Sequence, residues 1–194
     1  MKSENEAKIL EAAIELFAES GYAAGARDIA EKAGTTTMTM YRLFHNRKEH
    51  LFEEALREVI SRSFDPGKFV LFIYEDQKSK DFPVVLASAL QRWYFSIDPN
   101  SARLMGHAYL SGNEKWREMA DSAMEKIVGI LATTMGRQMP KGRKEFDPRT
   151  AAKALISVLF GMKMTRPRKR SPKVEKEEAK EVEALVGYWI RELA

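Results

Sequence analysis

"AGTTTMTMYRLFHNRKEH", residues 33–50, decides the reading of this chain. It holds four threonines and two methionines. No acid stands between Glu31 and Glu49, so Lys32, Arg42, Arg47 and Lys48 are locally unopposed. Met40, Leu43 and Phe44 recur at i, i+3 and i+4 and face a core, which leaves Thr37, Met38, Tyr41 and Arg42 pointing outward. Gly34 sits just past a preceding short helix, about Arg27 to Ala33, whose Ile29 and Ala30 point inward. Two short helices joined by a tight glycine-containing turn form a helix-turn-helix, and Ala30 and Ala33 are small enough for a close crossing. A face of hydroxyl, thioether methyl, phenol and guanidinium suits a DNA major groove. Phosphates accept from Thr and Tyr, thymine methyls take apolar contacts, and guanine takes Arg. The competing reading, a merely polar surface helix, leaves Met38 and Tyr41 exposed without purpose.

The charge distribution agrees with a focused basic face. Residues 1–60 carry 8 Lys and Arg against 11 Asp and Glu, a local net of −3, within a chain of net +4. Residues 32–48 alone carry four cations and no anion, as an element docking into a groove requires. A second basic run, "RPRKRSPK" at 166–173, is broken by two prolines and followed by a glutamate-rich segment, so it reads as a solvated linker.

Bulk properties remove other classes. With 44 % hydrophobic and 31 % charged residues over 194 positions, the chain can build one well-buried core or two small packed units. No apolar run approaches the roughly 18 residues of a membrane span, and "MKSENEAKIL" is charged where a secretion signal is apolar, so a cytoplasmic location is expected. The absence of cysteine removes disulfides and thiolate sites. His45, His50 and His107 lack the three- or four-residue spacing of two ligands on one helical face, so no metal and no cofactor is expected. No Gly-rich phosphate loop and no Ser-His-Asp arrangement is present, so the chain is not read as an enzyme.

Outward from the opening stretch the periodicity is helical. Residues 4–19 place Ile9, Ala13, Leu16 and Phe17 on one face and end at Ser20-Gly21. A helix follows the basic turn from about Arg47 to Ser63, and "DPGK" at 65–68 closes this unit. Phe69–Tyr74 fits strand or helix by pattern, and a short helix is the reading adopted. Pro83 opens a helix to about Ile97, "DPN" at 98–100 starts the next, and Asn113 caps a long one reaching Met139. Asp147-Pro148 supplies an N-cap and first-turn proline for a helix to about Met164, and a last helix runs from about Lys173 to Leu193. The fold class is all-α with about nine helices. The division expected is 1–64 for the helix-turn-helix domain and 65–194 for the rest.

The stretch "ILEAAIELFAESGYAAGARDIAEKAGTTTMTMYRLFHNRKEHLF" resembles the N-terminal DNA-binding domain of the TetR family of transcriptional repressors. The resemblance covers about residues 7–56 and rests on linked features: "AA..LF...GY", "IA..AG", a hydroxyl residue opening the recognition helix, "T.YR.F", and a cation at the start of the next helix. It implies that Thr36 caps the recognition helix, that Thr37 and Met38 meet base edges, and that Thr39 and Tyr41 touch phosphates. It further implies that Arg27 reaches DNA from the second helix and that Arg47 or Lys48 binds phosphate at the fourth. The chain departs from the family in three places. The loop before Arg27 is one residue shorter, with Gly25 and Ala26 where Thr or Ser is usual. Leu43 replaces a His or Tyr, and His50 replaces an apolar residue and is read as structural.

The remainder is expected to dimerise and to receive a signal. Leu155, Val158, Leu159 and Met162 form one stripe, with Ala151 and Ala154, and Leu185, Val186, Trp189 and Leu193 form another, with Val182; together two such pairs make a four-helix interface about a two-fold axis. Gly161 and Gly187 permit close crossing there. Between residues 86 and 131 lies a dense set of flat and adaptable side chains, of which Trp93, Met105, His107, Tyr109, Trp116 and Met119 are candidates to line a site for an apolar or aromatic small molecule. The function implied is a homodimeric repressor that binds a palindromic operator in double-stranded DNA and is released by such a ligand. The alternatives are a helical protein-interaction adaptor and a constitutive DNA binder without an inducer.

Overall fold

The computed structural model describes residues 3–45, 47–75, 81–138, 147–166 and 171–193, with side chains beyond Trp189 outside the description. Among these residues there are ten α-helices, one 3₁₀ turn and no strand. The chain forms two compact units, Met1–Ser63 with Asn100–Ser122, and Phe64–Pro99 with Ala123–Ala194.

The first unit contains α1 (Glu4–Ser20), a 3₁₀ turn (Gly21–Ala23), α2 (Ala26–Lys32), α3 (Thr37–Leu43), α4 (Lys48–Ser63), most of α7 (Pro99–Leu110) and the start of α8 (Glu114–Gln138). Helix α1 begins at a capping box. The Ser3 hydroxyl accepts from the Glu6 N–H at 3.3 Å, and the Glu6 carboxylate accepts from the Ser3 N–H at 2.6 Å. It ends where Gly21 takes φ +58°, a left-handed value that favours glycine. Ile9, Ala13 and Phe17 on α1 pack against Phe52, Ala55 and Val59 on α4, all fully buried. Phe17 meets Phe52 edge-on at 4.9 Å, and Trp116 on α8 stacks over Phe52 at 4.2 Å. Each such aromatic pair is worth about 0.5–1.5 kcal/mol beyond the area it buries. Asn113 caps α8 by accepting from the Trp116 N–H at 3.1 Å, and Lys115 pairs with the nearly buried Glu53 at 2.7 Å. These contacts gather α7 and the start of α8 with the N-terminal helices, so the packed unit is not the continuous segment 1–64.

The second unit contains α5 (Pro66–Glu75), α6 (Phe82–Ser96), the remainder of α8, α9 (Pro148–Thr165) and α10 (Pro172–Leu193). The "DPGK" turn follows the end of α4 at Ser63 and also opens α5. Asp65 accepts from the Gly67 N–H at 2.8 Å and Pro66 takes the first helical position, where its missing donor is harmless. Helix α6 is central and packs on α5, α9 and α10. Asp147 caps α9, accepting from Arg149 N–H at 3.2 Å and Thr150 N–H at 3.0 Å. The expected end of α8 at Met139, and residues 167–170 of the basic run, lie outside the described residues.

A buried charged cluster joins α6, α9 and α10. Lys163 is 1 % exposed and Glu178 fully enclosed, 3.9 Å apart. The Tyr94 hydroxyl donates to Glu178 at 2.5 Å, Arg166 Nε stands 3.7 Å from the same carboxylate, and the Lys163 ammonium lies 4.2 Å over the Tyr94 ring. Burial pushes the Tyr94 phenol above its ordinary pKa, and the Glu178 charge adds to the shift.

Candidate nucleic-acid interface

Helix α3 is built as a two-sided element. Thr36 is its N-cap, with backbone at φ −98° and ψ 153°, and its hydroxyl accepts from the Thr39 N–H at 3.2 Å. The same hydroxyl donates to Thr39 Oγ1 at 3.1 Å, which orients a second hydroxyl beside the cap. Met40 and Phe44 are buried against the first unit's core, while Leu43 is only half-buried. On the opposite side Met38 is 81 % exposed. Arg42 is also exposed, whereas Thr37 and Tyr41 are half-buried and so less outward than the spacing alone implies. Helix α3 is seven residues long and packs on both α1 and α2.

Arg27 on α2 and Arg47 just before α4 are exposed and form no salt bridge among the described residues. Lys48 is different. It is half-buried, donates to the Tyr22 carbonyl at 2.6 Å and lies 4.5 Å over the Tyr22 ring. Burial lowers the Lys48 pKa, and the adjacent Glu49 opposes that shift. Glu49 accepts from the Tyr22 hydroxyl, which holds its carboxylate below the usual range, while burial and then Glu49 push the Tyr22 phenol up. Tyr22 also packs on Phe52 at 5.9 Å and Trp116 at 5.0 Å. The tyrosine was visible in sequence only as part of "GY"; nothing local marked it as the hub of four contacts.

His50 packs edge-on against His45 at 4.7 Å in an open cleft with Glu6, Leu10, Leu43, Phe44 and Glu54. His45 has φ +53°, the exit from α3 being closed by a left-handed non-glycine residue. Among the described residues no group of three His, Cys, Asp or Glu could hold a metal ion, and no helix is long and apolar enough to cross a membrane.

The ligand candidates are divided between the units. In the first, Met105 is fully buried on α7, His107 is half-buried with its ring over Gly21, and Tyr109 is half-buried. Trp116 is held in the aromatic stack on Phe52, and Met119 lines an open groove of about 470 Å³ with Arg57, Ile60, Lys115 and Glu118. In the second unit Trp93 is buried and meets Phe69 at 5.9 Å. The indole N–H groups of Trp93 and Trp116 are both buried without an acceptor among the described residues.

The dimer candidates separate by face. Leu155, Leu159 and Val186 are fully buried within their own protomer. Val158, Met162, Leu185 and Trp189 are exposed or half-exposed, and Tyr188, which sequence reasoning missed, is 58 % exposed beside them. The Leu193 side chain lies outside the described residues. Helical periodicity finds apolar positions on α9 and α10 but does not say which of two partners each side meets, and these helices are apolar on two sides.

Residues 9–55 match the family model described as bacterial regulatory proteins, tetR family. No curated protein sequence matches the chain. Among solved structures, the ketosteroid transcriptional regulator KstR2 of Mycobacterium tuberculosis is similar at 15 % identity and a TM-score of 0.71, covering 96 % of this chain and 95 % of that one. The fatty acid degradation regulator FadR from Bacillus halodurans is similar at 22 % identity and a TM-score of 0.67, covering 100 % and 96 %. A transcriptional regulator from Saccharomonospora viridis in complex with choline is similar at 21 % identity and a TM-score of 0.71, covering 98 % and 97 %. At these identities the likeness of the structures establishes the fold, while the family match rests on the helix-turn-helix residues themselves. Residues 9–55 are a TetR-family regulatory domain of the helix-turn-helix type, carried on a chain whose all-helical fold is that of TetR-family regulators.

Proposed function

We propose that the protein is a homodimeric transcriptional repressor that binds a palindromic operator through α3 and is released by a small apolar or aromatic ligand. The observation that carries the DNA-binding part is Met38, an 81 % exposed thioether on a helix whose other side is anchored by buried Met40 and Phe44. Exposing so much apolar surface on a recognition helix is explained by a thymine methyl waiting opposite it. Thr37 joins Met38 at base edges, Thr39 and Tyr41 reach phosphates, and exposed Arg27, Arg42 and Arg47 supply the charge. The outward stripe of Val158 and Met162 on α9 with Leu185, Tyr188 and Trp189 on α10 supports pairing of two copies, and Gly161 faces open space on that side. Pairing sets two recognition helices about 34 Å apart, one turn of the duplex.

The ligand reading is supported by the kind of regulator that shares the fold. Relatives in structure are described as ketosteroid and fatty acid degradation regulators, and one was solved with choline. The experiment is selection of bound sequences from random duplex DNA, followed by the same selection with Met38→Ala. The wild type is expected to yield one palindromic motif, and the variant to relax preference at one base pair per half-site by about 1–3 kcal/mol. A wild type that selects nothing would indicate a helical adaptor instead. Compounds that quench tryptophan fluorescence are then titrated with and without the selected DNA. An inducer binds the DNA complex more weakly by the same factor that it weakens DNA binding, whereas equal affinities across a broad screen favour the constitutive binder.

A further inference from the structure

We propose that Lys48 is a positioning residue for DNA recognition and not a phosphate contact: its ammonium ties the first turn of α4 to the turn that feeds α2, and so fixes where Arg27 meets the duplex. The inference rests on the DNA-binding reading above. It starts from what the chain before Arg27 lacks. The N-cap of α2 is Gly25, which has no side-chain oxygen to hold the free N–H groups of the first turn. Gly21 and Gly25 flank the segment that joins α1 to α2, so its backbone loses more freedom on ordering than a chain without glycine. A glycine at position 25 also leaves room that any Cβ would take from the Asp28 carboxylate. Something else must hold this segment in register.

Lys48 meets that need across 26 residues of sequence. Its Nζ donates to the Tyr22 carbonyl at 2.6 Å and stands 4.5 Å from the centre of the Tyr22 ring, so one cation grips both backbone and side chain of the middle residue of the turn. The Tyr22 ring rests on Phe52 and Trp116, so the turn is fastened to α4 at Lys48 and again at Phe52. An ammonium has three donors on a point charge. With one on the carbonyl, one side over the ring and the residue half-buried, Lys48 is poorly placed to follow the duplex backbone, while neighbouring Arg47 is exposed.

The test compares Lys48→Met, Lys48→Arg and Arg47→Met with the wild type, binding the selected sequence and random-sequence DNA over a range of salt. Lys48→Met is expected to weaken the selected sequence by roughly tenfold or more, to leave random DNA unaffected, and to keep the salt slope. Lys48→Arg is expected to restore most of the loss, because a guanidinium also donates to a carbonyl and stacks on an aromatic ring. Arg47→Met is expected to weaken both DNAs and to reduce the slope by about one. If Lys48→Met weakens both DNAs alike and flattens the slope, Lys48 is a phosphate contact and the proposal falls. It falls equally if the variant melts earlier but binds both DNAs as the wild type does. Hydrogen exchange reads the same device without DNA. The Ala24 amide, which donates to the Gly21 carbonyl at 3.2 Å, is expected to exchange faster in Lys48→Met while amides inside α1 do not change, and an unchanged rate at Ala24 overturns the proposal. A wild type that selects no sequence overturns the DNA-binding reading and this proposal with it, and that result is distinguishable because it comes before any substitution.

Discussion

The same trio of side chains occurs once in each unit. In the first, Lys48 lies 4.5 Å over the Tyr22 ring and the Glu49 charge acts on the Tyr22 phenol. In the second, Lys163 lies 4.2 Å over the Tyr94 ring and the Tyr94 hydroxyl bonds to Glu178. The chemistry is shared and the surroundings are not. Lys163 and Glu178 are enclosed, so each charge depends on the others for everything that water supplies elsewhere. Around Tyr22 the lysine is half-buried and Glu49 is exposed, so water stabilises both charges if the trio opens. The first trio is therefore a hydrated fastening of the turn to α4. The second is a fixed clasp between α6, α9 and α10.

The sharpest way to break this comparison is to remove one charge from each trio. Glu178→Leu leaves buried cations facing an apolar group and is expected to cost about 3–5 kcal/mol in urea unfolding, with Lys163→Met added in the same chain recovering much of it. A loss below about 1 kcal/mol would show that water reaches the cluster. Lys48→Met in the half-open trio is expected to cost only about 1–2 kcal/mol by the same measurement, since the freed groups regain solvent; a cost equal to that of Glu178→Leu would erase the distinction between the two sites. Thr36→Ala removes an uncharged cap from the first unit and is expected to cost about 1 kcal/mol, which calibrates what a purely local contact contributes there. The smallest effect is on pH. Both phenols are raised above the ordinary tyrosine value, so the folded protein holds these protons more tightly than the unfolded chain. Stability then declines as pH climbs above about 10, where unfolded tyrosine ionises. Tyr94→Phe is expected to flatten this alkaline decline more than Tyr22→Phe; the opposite order in unfolding midpoints would place the stronger burial in the wrong trio.

What could be read from sequence was local. Thr36, Asn113 and Asp147 are identifiable as caps because a cap and its N–H donor partners lie within three residues, and Met40 and Phe44 read as inward because their spacing is set by the helix itself. Lys48 and Arg47 look alike in sequence, both cations at one helix start; the carbonyl that Lys48 holds lies 26 residues away. An apolar stripe names no partner, so the spacing of Leu155, Leu159 and Val186 fits an interface and an interior alike, and all three are buried within the unit. Trp116 and His107 belonged to a flat, adaptable set that pattern alone assigned to a ligand, yet one stacks on Phe52 and the other covers Gly21. Aromatic side chains fit either role equally well until their neighbours are known.

The discontinuous first unit has a consequence for anyone wishing to transplant it. A graft of the helix-turn-helix onto another sensor would be cut after α4. Here a cut after Ser63 discards the Trp116 ring from the face of Phe52 and from Tyr22, unpairs nearly buried Glu53 from Lys115, and uncovers Gly21, where the His107 Nδ1 stands only 2.8 Å from the place a Cβ would occupy. The portable cassette is two strips of sequence, and a working chimera must carry residues 100–122 along with the helix-turn-helix or replace that cover with an equally flat and apolar one.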